Sequence, residues 1–312
     1  RGLSDRYNQA LLNDAQMPSS EPDKKAFSFD IIPAVMIDNI IINKTATPDL
    51  PGEFAGGLVQ INTKDIPTKN SLSVGISIGY NSQSTFKDFT SNPRKSTDWL
   101  GFDNGDRSLP SGMPSTTGYR SLTSEQKIER TKTFKGDVYS EETNKALPIT
   151  TINLTWTNVA KFKNDASFGT IIALYHRQGM TIYDEVERGR FEQVRSPIFT
   201  GTEVQNRYSV NAGVLANFTY IKGKHKISFK NLFNQLYEDN YYNRTLNNTG
   251  RLQIVSLRSS FLNQRSLYSG QLEGEHVLTK SGIKFKWNGN FAYNYKTQPD
   301  FRTAQYVKSS SD

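Results

Sequence analysis

The chain contains no cysteine. Disulfides, thiolate metal sites and cysteine nucleophiles are therefore excluded. It also lacks any run of about 18 apolar residues, so no helix of it can span a bilayer. The opening Arg1-Gly2-Leu3-Ser4-Asp5-Arg6 has charge but no apolar stretch behind it of the kind a secretory signal carries. Histidine is scarce: His176, His225 and His276 sit on separate segments without metal-ligand spacing. Nucleophile elbows, phosphate-binding glycine loops and zinc helices are missing, and Asp103-Asn104-Gly105-Asp106 offers too few ligands at the right intervals to be more than a turn. The expectation is a protein without catalytic residues, metal or cofactor. Its net charge of +8 comes from scattered Lys and Arg or from clusters such as Lys161, Lys163, Lys222, Lys224 and Lys226. These do not interleave with stacking aromatics, so nucleic acid is not an expected partner.

What the chain has is alternation. Leu72, Val74, Ile76, Ile78 and Tyr80 are separated only by Ser and Gly, and Ile283, Phe285, Trp287, Phe291, Tyr293 and Tyr295 alternate with Lys, Asn and Ala. Tyr208 through Tyr220 keeps the same beat with only Leu215 breaking the polar row, and Ile152, Leu154 and Trp156 oppose Asn153, Thr155 and Thr157. Period two specifies strands with two unlike faces. Three more segments, near 167 to 183, 226 to 238 and 252 to 278, alternate less strictly. Each of the seven is long enough to cross a bilayer, which takes about 9 to 11 tilted residues.

The connections are long and short in turn. The short ones are Lys163-Asn164-Asp165, Lys222-Gly223-Lys224 and Thr279-Lys280-Ser281-Gly282, and the long ones run roughly over 82–149, 184–206 and 239–251. Strand direction flips at each connection, so all short turns fall at one end of the sheet, as in a membrane β-barrel. A mean hydropathy of −0.61 and 35% hydrophobic residues fit that reading, because only alternate residues in the central part of each strand meet lipid. Tyr and Phe at strand ends suit a headgroup girdle and suit ordinary β-propensity equally well.

The first seventy residues are different, with Pro18, Pro22, Pro33, Pro48, Pro51 and Pro67 punctuating short mixed elements and two apolar runs, Ile31 to Ile42 and Gly57 to Ile61. Four motifs follow in order: Arg1-Gly2-Leu3, then Tyr7 to Asp14 with Asn13-Asp14 at its end, then Ile37-Asp38-Asn39-Ile40-Ile41-Ile42-Asn43-Lys44-Thr45, then Gly56-Gly57-Leu58-Val59-Gln60-Ile61-Asn62-Thr63-Lys64 just before the first alternating strand. In this the chain resembles the plug of TonB-dependent outer-membrane receptors, and Thr47-Pro48-Asp49-Leu50-Pro51-Gly52-Glu53-Phe54 resembles the Bacteroidota receptors among them. It departs from the family pattern where Asp14 replaces a glycine after Asn13.

The resemblance implies a mostly β fold: part of an α/β plug over residues 1–68, and over 69–312 about seven strands of a transmembrane antiparallel barrel that in the family has about 22. It implies location in the bacterial outer membrane, with lipid around the barrel and uptake of a ligand past the plug. The expected partners are the TonB system, through a segment before Arg1, and a surface lipoprotein or other outer-membrane subunits. Plug-to-barrel ion pairs are a feature of that family, which makes Glu273 and Glu275, on one face of their strand, candidates for contact with Arg1, Arg6 and Lys64. In the longest loop, Trp99, Phe102 and Tyr119 are candidates for ligand or partner recognition. Within that loop, Thr123 to Arg130 reads as a short helix with Thr123 and Gln126 as a capping box. Two other readings stay open: a receptor-like structural subunit without transport, and a soluble β-rich binding module.

Overall fold

The computed structural model describes residues 8–17, 32–45, 50–51, 57–134, 140–193, 196–278 and 282–309. Arg1, Arg6, most of the Thr47 to Phe54 stretch and the turn at 279–281 lie outside the described residues. In chain order the strands are β1 (Asn8–Leu12), β2 (Ala15–Gln16), β3 (Ile37–Asn43), β4 (Gly57–Thr63), β5 (Ser71–Gly79) and β6 (Asp88–Ser91). Two helices follow, α1 (Thr116–Arg120) and α2 (Ser124–Thr131), then β7 (Glu142–Lys145), β8 (Ile149–Lys161), β9 (Ala166–Gln193), β10 (Ser196–Lys222), β11 (His225–Asn248), β12 (Gln253–Val277) and β13 (Lys284–Ser309).

The strands β1 to β4 form a small mixed sheet in the order β2-β1-β4-β3, with β1 parallel to β4. Its hairpin turns at Asn13 (φ 50) and Asp14 (φ 65), both left-handed, between paired Leu12 and Ala15. Two left-handed residues make the tight turn whose twist matches the strands, and Asn-Asp is tolerated there because short polar side chains bond locally. Asn13 Oδ1 accepts from Thr63 N at 2.8 Å and from Thr63 Oγ1 at 3.1 Å, tying the turn to the end of β4.

The seven segments of alternation become one antiparallel sheet, β13-β12-β11-β10-β9-β8-β5, each strand beside its sequence neighbours among the seven. The structure is mostly β. The turns at the near end are short, with Lys222 opposite His225 across Gly223-Lys224 and Lys161 opposite Ser167. At the far end the expectation fails for two of three connections. Residues 184–206 and 239–251 are for the most part not loops: β9 and β10 stay paired out to Gln193 and Ser196, and β11 and β12 to Asn248 and Gln253. Alternating hydropathy stops before the strands do, because these hairpins bury polar side chains such as Asn206 and Asp239 at their base and are exposed toward their tips, and a backbone ladder needs no apolar side. The first far-end connection is long, holding the β6–β7 hairpin, α1 and α2. The α2 helix has the expected capping box, with Gln126 N–H donating to Thr123 Oγ1 at 3.3 Å and Thr123 N–H to Gln126 Oε1 at 3.0 Å.

The two faces of the large sheet have different neighbours. Near the short turns the small sheet covers one face, where Leu12, Met17, Ile32, Met36 and Ile61 form a buried cluster with Ile171, Ala173, Leu215, Leu232 and Leu267. Each such side chain contributes about 1.5–3 kcal/mol when fully buried. Gly213 permits the approach: a Cβ there would stand 2.5 Å from Asn234 Oδ1 and 3.0 Å from Met36 Cε. At the same height the opposite face is bare and apolar. Ile76, Ile152, Leu174, Val214, Phe229, Leu272 and Phe291 all belong to it, and Ile76 and Phe291 are 69% and 63% exposed.

Farther along, that second face is covered again. The long connection folds down over it, and Phe89 and Ala146 pack with Met180, Ile182, Tyr208, Val210, Tyr237 and Leu262.

Candidate functional site

Where the small sheet meets the large one, a cavity of about 400 Å³ opens between Asn13, Asp38, Asn62 and Asp65 on one side and Lys226, Lys230, Glu273 and Asn288 on the other. Strand periodicity sets the chemistry. Lys226 and Lys230 lie four apart on β11 and therefore on one face, and Glu273 pairs opposite Ser228 between them. Asp65 follows β4 and reaches in from the small-sheet side.

Four charges converge there. Asp65 Oδ2 bonds Lys226 Nζ and lies 3.6 Å from Lys230 Nζ, while Glu273 Oε1 is 2.9 Å from Lys230 Nζ and 3.8 Å from Lys226 Nζ. Thr219 Oγ1 donates to Asp65 Oδ1 at 3.1 Å. Two ammonium groups thus share two carboxylates, a neutral set. Burial pushes the Asp65 carboxyl up, but the Lys226 hydrogen bond and the charge of Lys230 outweigh it and hold its pKa below the ordinary value. The contact is about a quarter exposed on the Asp65 and Lys226 sides, so it fixes position more than it stabilises.

Backbone bonds support the same joint. Gln271 Nε2 donates to the Asn13 carbonyl at 2.6 Å, and Asn217 Nδ2 to the Lys64 carbonyl at 2.5 Å. Glu273 and Glu275 both fall on the face that the small sheet covers, but they pair with Lys226 and Lys230, and with Lys284 at 3.5 Å and Lys286 at 3.6 Å, all on the large sheet. Lys64 contributes its carbonyl to Asn217, and the small-sheet partner in the ion cluster is the acidic Asp65. Among the described residues, then, the small-sheet side brings an acid to this cluster, whereas the expected contacts of Arg1 and Arg6 lie outside the described residues. The signal for the cluster was present in the i, i+4 lysines of β11 and in Asp65 directly after Thr63-Lys64.

The loop candidates separate. Trp99 and Phe102 pack on the face opposite the small sheet: His176 Nε2 is 2.7 Å from the Trp99 carbonyl, and the Phe102 ring is parallel to that of Phe233 at 6.4 Å. Tyr119 lies on α1, with Lys127 of α2 at 5.9 Å from its ring. A clamp that sequence reasoning missed holds the loop. Arg107 bonds Asp98 through both nitrogens, at 2.8 and 2.6 Å, and Asp103 at 2.8 Å, with only 5% of its side chain exposed. Burial opposes the charge on Arg107, yet the Asp98 bonds dominate and raise its pKa above the ordinary range. No local spacing rule announces this pair.

The histidines also come together in part. His225 and His276 are opposite one another, with Nδ1 atoms 3.2 Å apart, and Trp287 Nε1–H donates to His276 Nε2 at 3.0 Å. Two rings are too few for a closed metal site, and among the described residues no group of three or more metal-binding side chains occurs.

No family model matches this chain, and a search of curated proteins finds no match. Among solved structures the chain is similar to the outer membrane transporter YddB from Escherichia coli, with 10% identity and a TM-score of 0.27. That alignment covers 97% of this chain and 47% of the other, so the chain spans about half the length of that transporter.

Proposed function

We propose that the chain is part of a TonB-dependent outer-membrane transporter, with residues 1–68 the later part of its plug and 69–312 the first seven strands of a barrel of about 22. The observation that carries this is the height of the bare apolar belt. On β10 it runs from Tyr220 to Val214 before the loop covers Val210, and on β11 from Ile227 to Phe229 before Phe233 meets Phe102. On the two edge strands it runs from Leu72 of β5 to Tyr80 just after it and from Phe285 to Tyr295 on β13, nine and eleven residues, the span of a tilted strand across hydrocarbon. Roughly 33 Å of strand tilted by about 45° rises about 23 Å, close to the apolar band of outer-membrane barrels. The other face at that height is packed or polar, as a plugged bore requires.

In this reading the open edges at β5 and β13 pair with further strands, since unpaired backbone in lipid costs several kcal/mol per group. The joint around Asp65, Lys226, Lys230 and Glu273 is the contact that breaks when force through TonB rearranges the plug. A half-wet ion cluster beside a cavity separates more readily than a packed core. Ligand binds above the plug among the far-end hairpins, where a surface lipoprotein or another subunit also docks, and no covalent chemistry is needed.

The test uses the full-length protein. A heat-modifiable, detergent-requiring protein whose ligand uptake stops when TonB is deleted supports the proposal. Membrane insertion without TonB-dependent uptake selects a structural subunit, and partition into the aqueous phase selects a soluble binding module.

A further inference from the structure

We infer that the long connection after β5 is a lipid-interface anchor, and that its turn at Trp99, Leu100 and Phe102 sits in the outer-leaflet headgroup layer at the upper border of the belt. The inference rests on the membrane reading above and names a surface that reading does not require.

Side and height place the turn. Gly101, left-handed at φ 86, sits against Gln235, Tyr237 and Val210 on the bare face of the large sheet, the one turned away from the small sheet. A residue on that face cannot line a bore filled from the other side. The Trp99 ring centroid is 6.2 Å from that of His176, and Phe102 stacks on Phe233. On that face His176 follows Leu174 of the belt directly and Phe233 follows Phe229 with Asn231 between, so the turn rests where the belt ends.

The turn is rigid yet displays apolar side chains. Arg107 holds Asp98 from one side, Gln235 Nε2 donates to the Gly101 carbonyl at 2.8 Å, and Thr97 Oγ1 donates to the Phe102 carbonyl at 2.7 Å. With the backbone thus fixed, Trp99, Leu100 and Phe102 still stand 55%, 40% and 41% exposed. A protein in water alone gains nothing by clamping three large apolar groups outward. Directly above a hydrocarbon belt, an indole with an apolar body and a polar N–H is suited to the interface, and on β10 the apolar side continues from Val214 through Ala212 to Val210, against which Gly101 of the turn sits. This continuity selects lipid as the occupant, ahead of a ligand or a partner protein.

This chain has no cysteine, so in full-length protein with any cysteine outside it replaced, Leu100→Cys and Val214→Cys can each carry one environment-sensitive fluorophore after reconstitution into phospholipid vesicles. The expected result is that a shallow lipid-borne quencher reduces the signal at 100 at least twofold more than a deep one, and that the order reverses at 214. A label at 214 quenched by lipid with one at 100 quenched by aqueous iodide overturns the anchor and leaves the barrel standing. Water access at both overturns both, and a label at 100 shielded from lipid and iodide alike overturns the anchor in favour of a protein neighbour. If labelling at 100 disturbs folding, the native Trp99 indole in a full-length background with every other tryptophan, Trp156 and Trp287 among them, replaced by Phe gives the same shallow-over-deep comparison.

Discussion

The same sheet is covered twice, once on each face, and the two covers are built differently. The small sheet touches its face through an aliphatic cluster, then leaves a cavity of about 400 Å³ and a shared set of two lysines and two carboxylates. The long loop touches the other face with Phe89 fully buried against Tyr208 and Tyr237, and with a buried arginine gripped by two aspartates. The first joint is divided between packing and half-wet charge, and the second is mostly packed, with one half-exposed ion pair, Arg258 to Glu141, at its rim. A wet, charge-mediated joint tolerates separation because water takes over its charges; a packed one does not, because parting it exposes apolar side chains such as Phe89 to water. Under the proposed function, the contrast separates the cover that moves from the one that stays.

The sharpest way to break this comparison is to attack the belt lying between the covers. Phe229→Arg puts a charge on the bare face near mid-height and should cost about 2–4 kcal/mol if hydrocarbon surrounds it, seen as lost heat-modifiability; an unaffected barrel would remove the membrane premise. Next is Gly213→Leu, which drives a side chain into Asn234 and Met36. It should loosen the small sheet by about 1–3 kcal/mol and raise amide exchange over 32–45 and 57–64 while the far-end hairpins stay protected. Asp65→Asn leaves the two lysines one carboxylate and should loosen the same segments by about 1–2 kcal/mol, less than the 3–5 of a fully buried pair.

Acid should divide the two covers. The Asp65 pKa is held below its ordinary 3.8, so its contribution is complete above about pH 4 and fades as pH falls through the lower folded value. Asp239 lies beyond the belt, under the loop. Burial raises its carboxyl to about 6 against the lowering effect of Arg107 and Arg94, so protonation below that value relieves a penalty and tightens the loop. Amide exchange followed from pH 7 to pH 3 should show the loop cover gaining protection first and the small sheet losing it last. The smallest effect is expected from Thr123→Ala, which removes the α2 cap at a cost of about 0.5–2 kcal/mol confined to that helix.

Much of this was legible without coordinates. Alternation at Leu72 to Tyr80 and Tyr208 to Tyr220 located strands, and Thr123 with Gln126 located a capped helix, because period and capping act within a few residues. The long hairpins were not legible, since strands whose buried side chains are polar, as at Asn206 and Asp239, and whose tips are exposed have no alternating hydropathy. The part of Asp65 in the joint was not legible either: periodicity puts Glu273 and Glu275 on one face, but the pairing of Asp65 with Lys226 joins residues 161 apart in the chain.

The sequence by itself determined that seven strands each have an apolar and a polar side and that their short turns share one end, because side chains alternate about the backbone whatever surrounds it. Only the tertiary structure decided which stretch of the apolar side stays bare and which the loop covers, and that Trp99 lies outside the sheet rather than above the small one. Those are choices among surfaces of similar hydrophobicity, settled by the Arg107 clamp and by the room at Gly213, which no local pattern encodes.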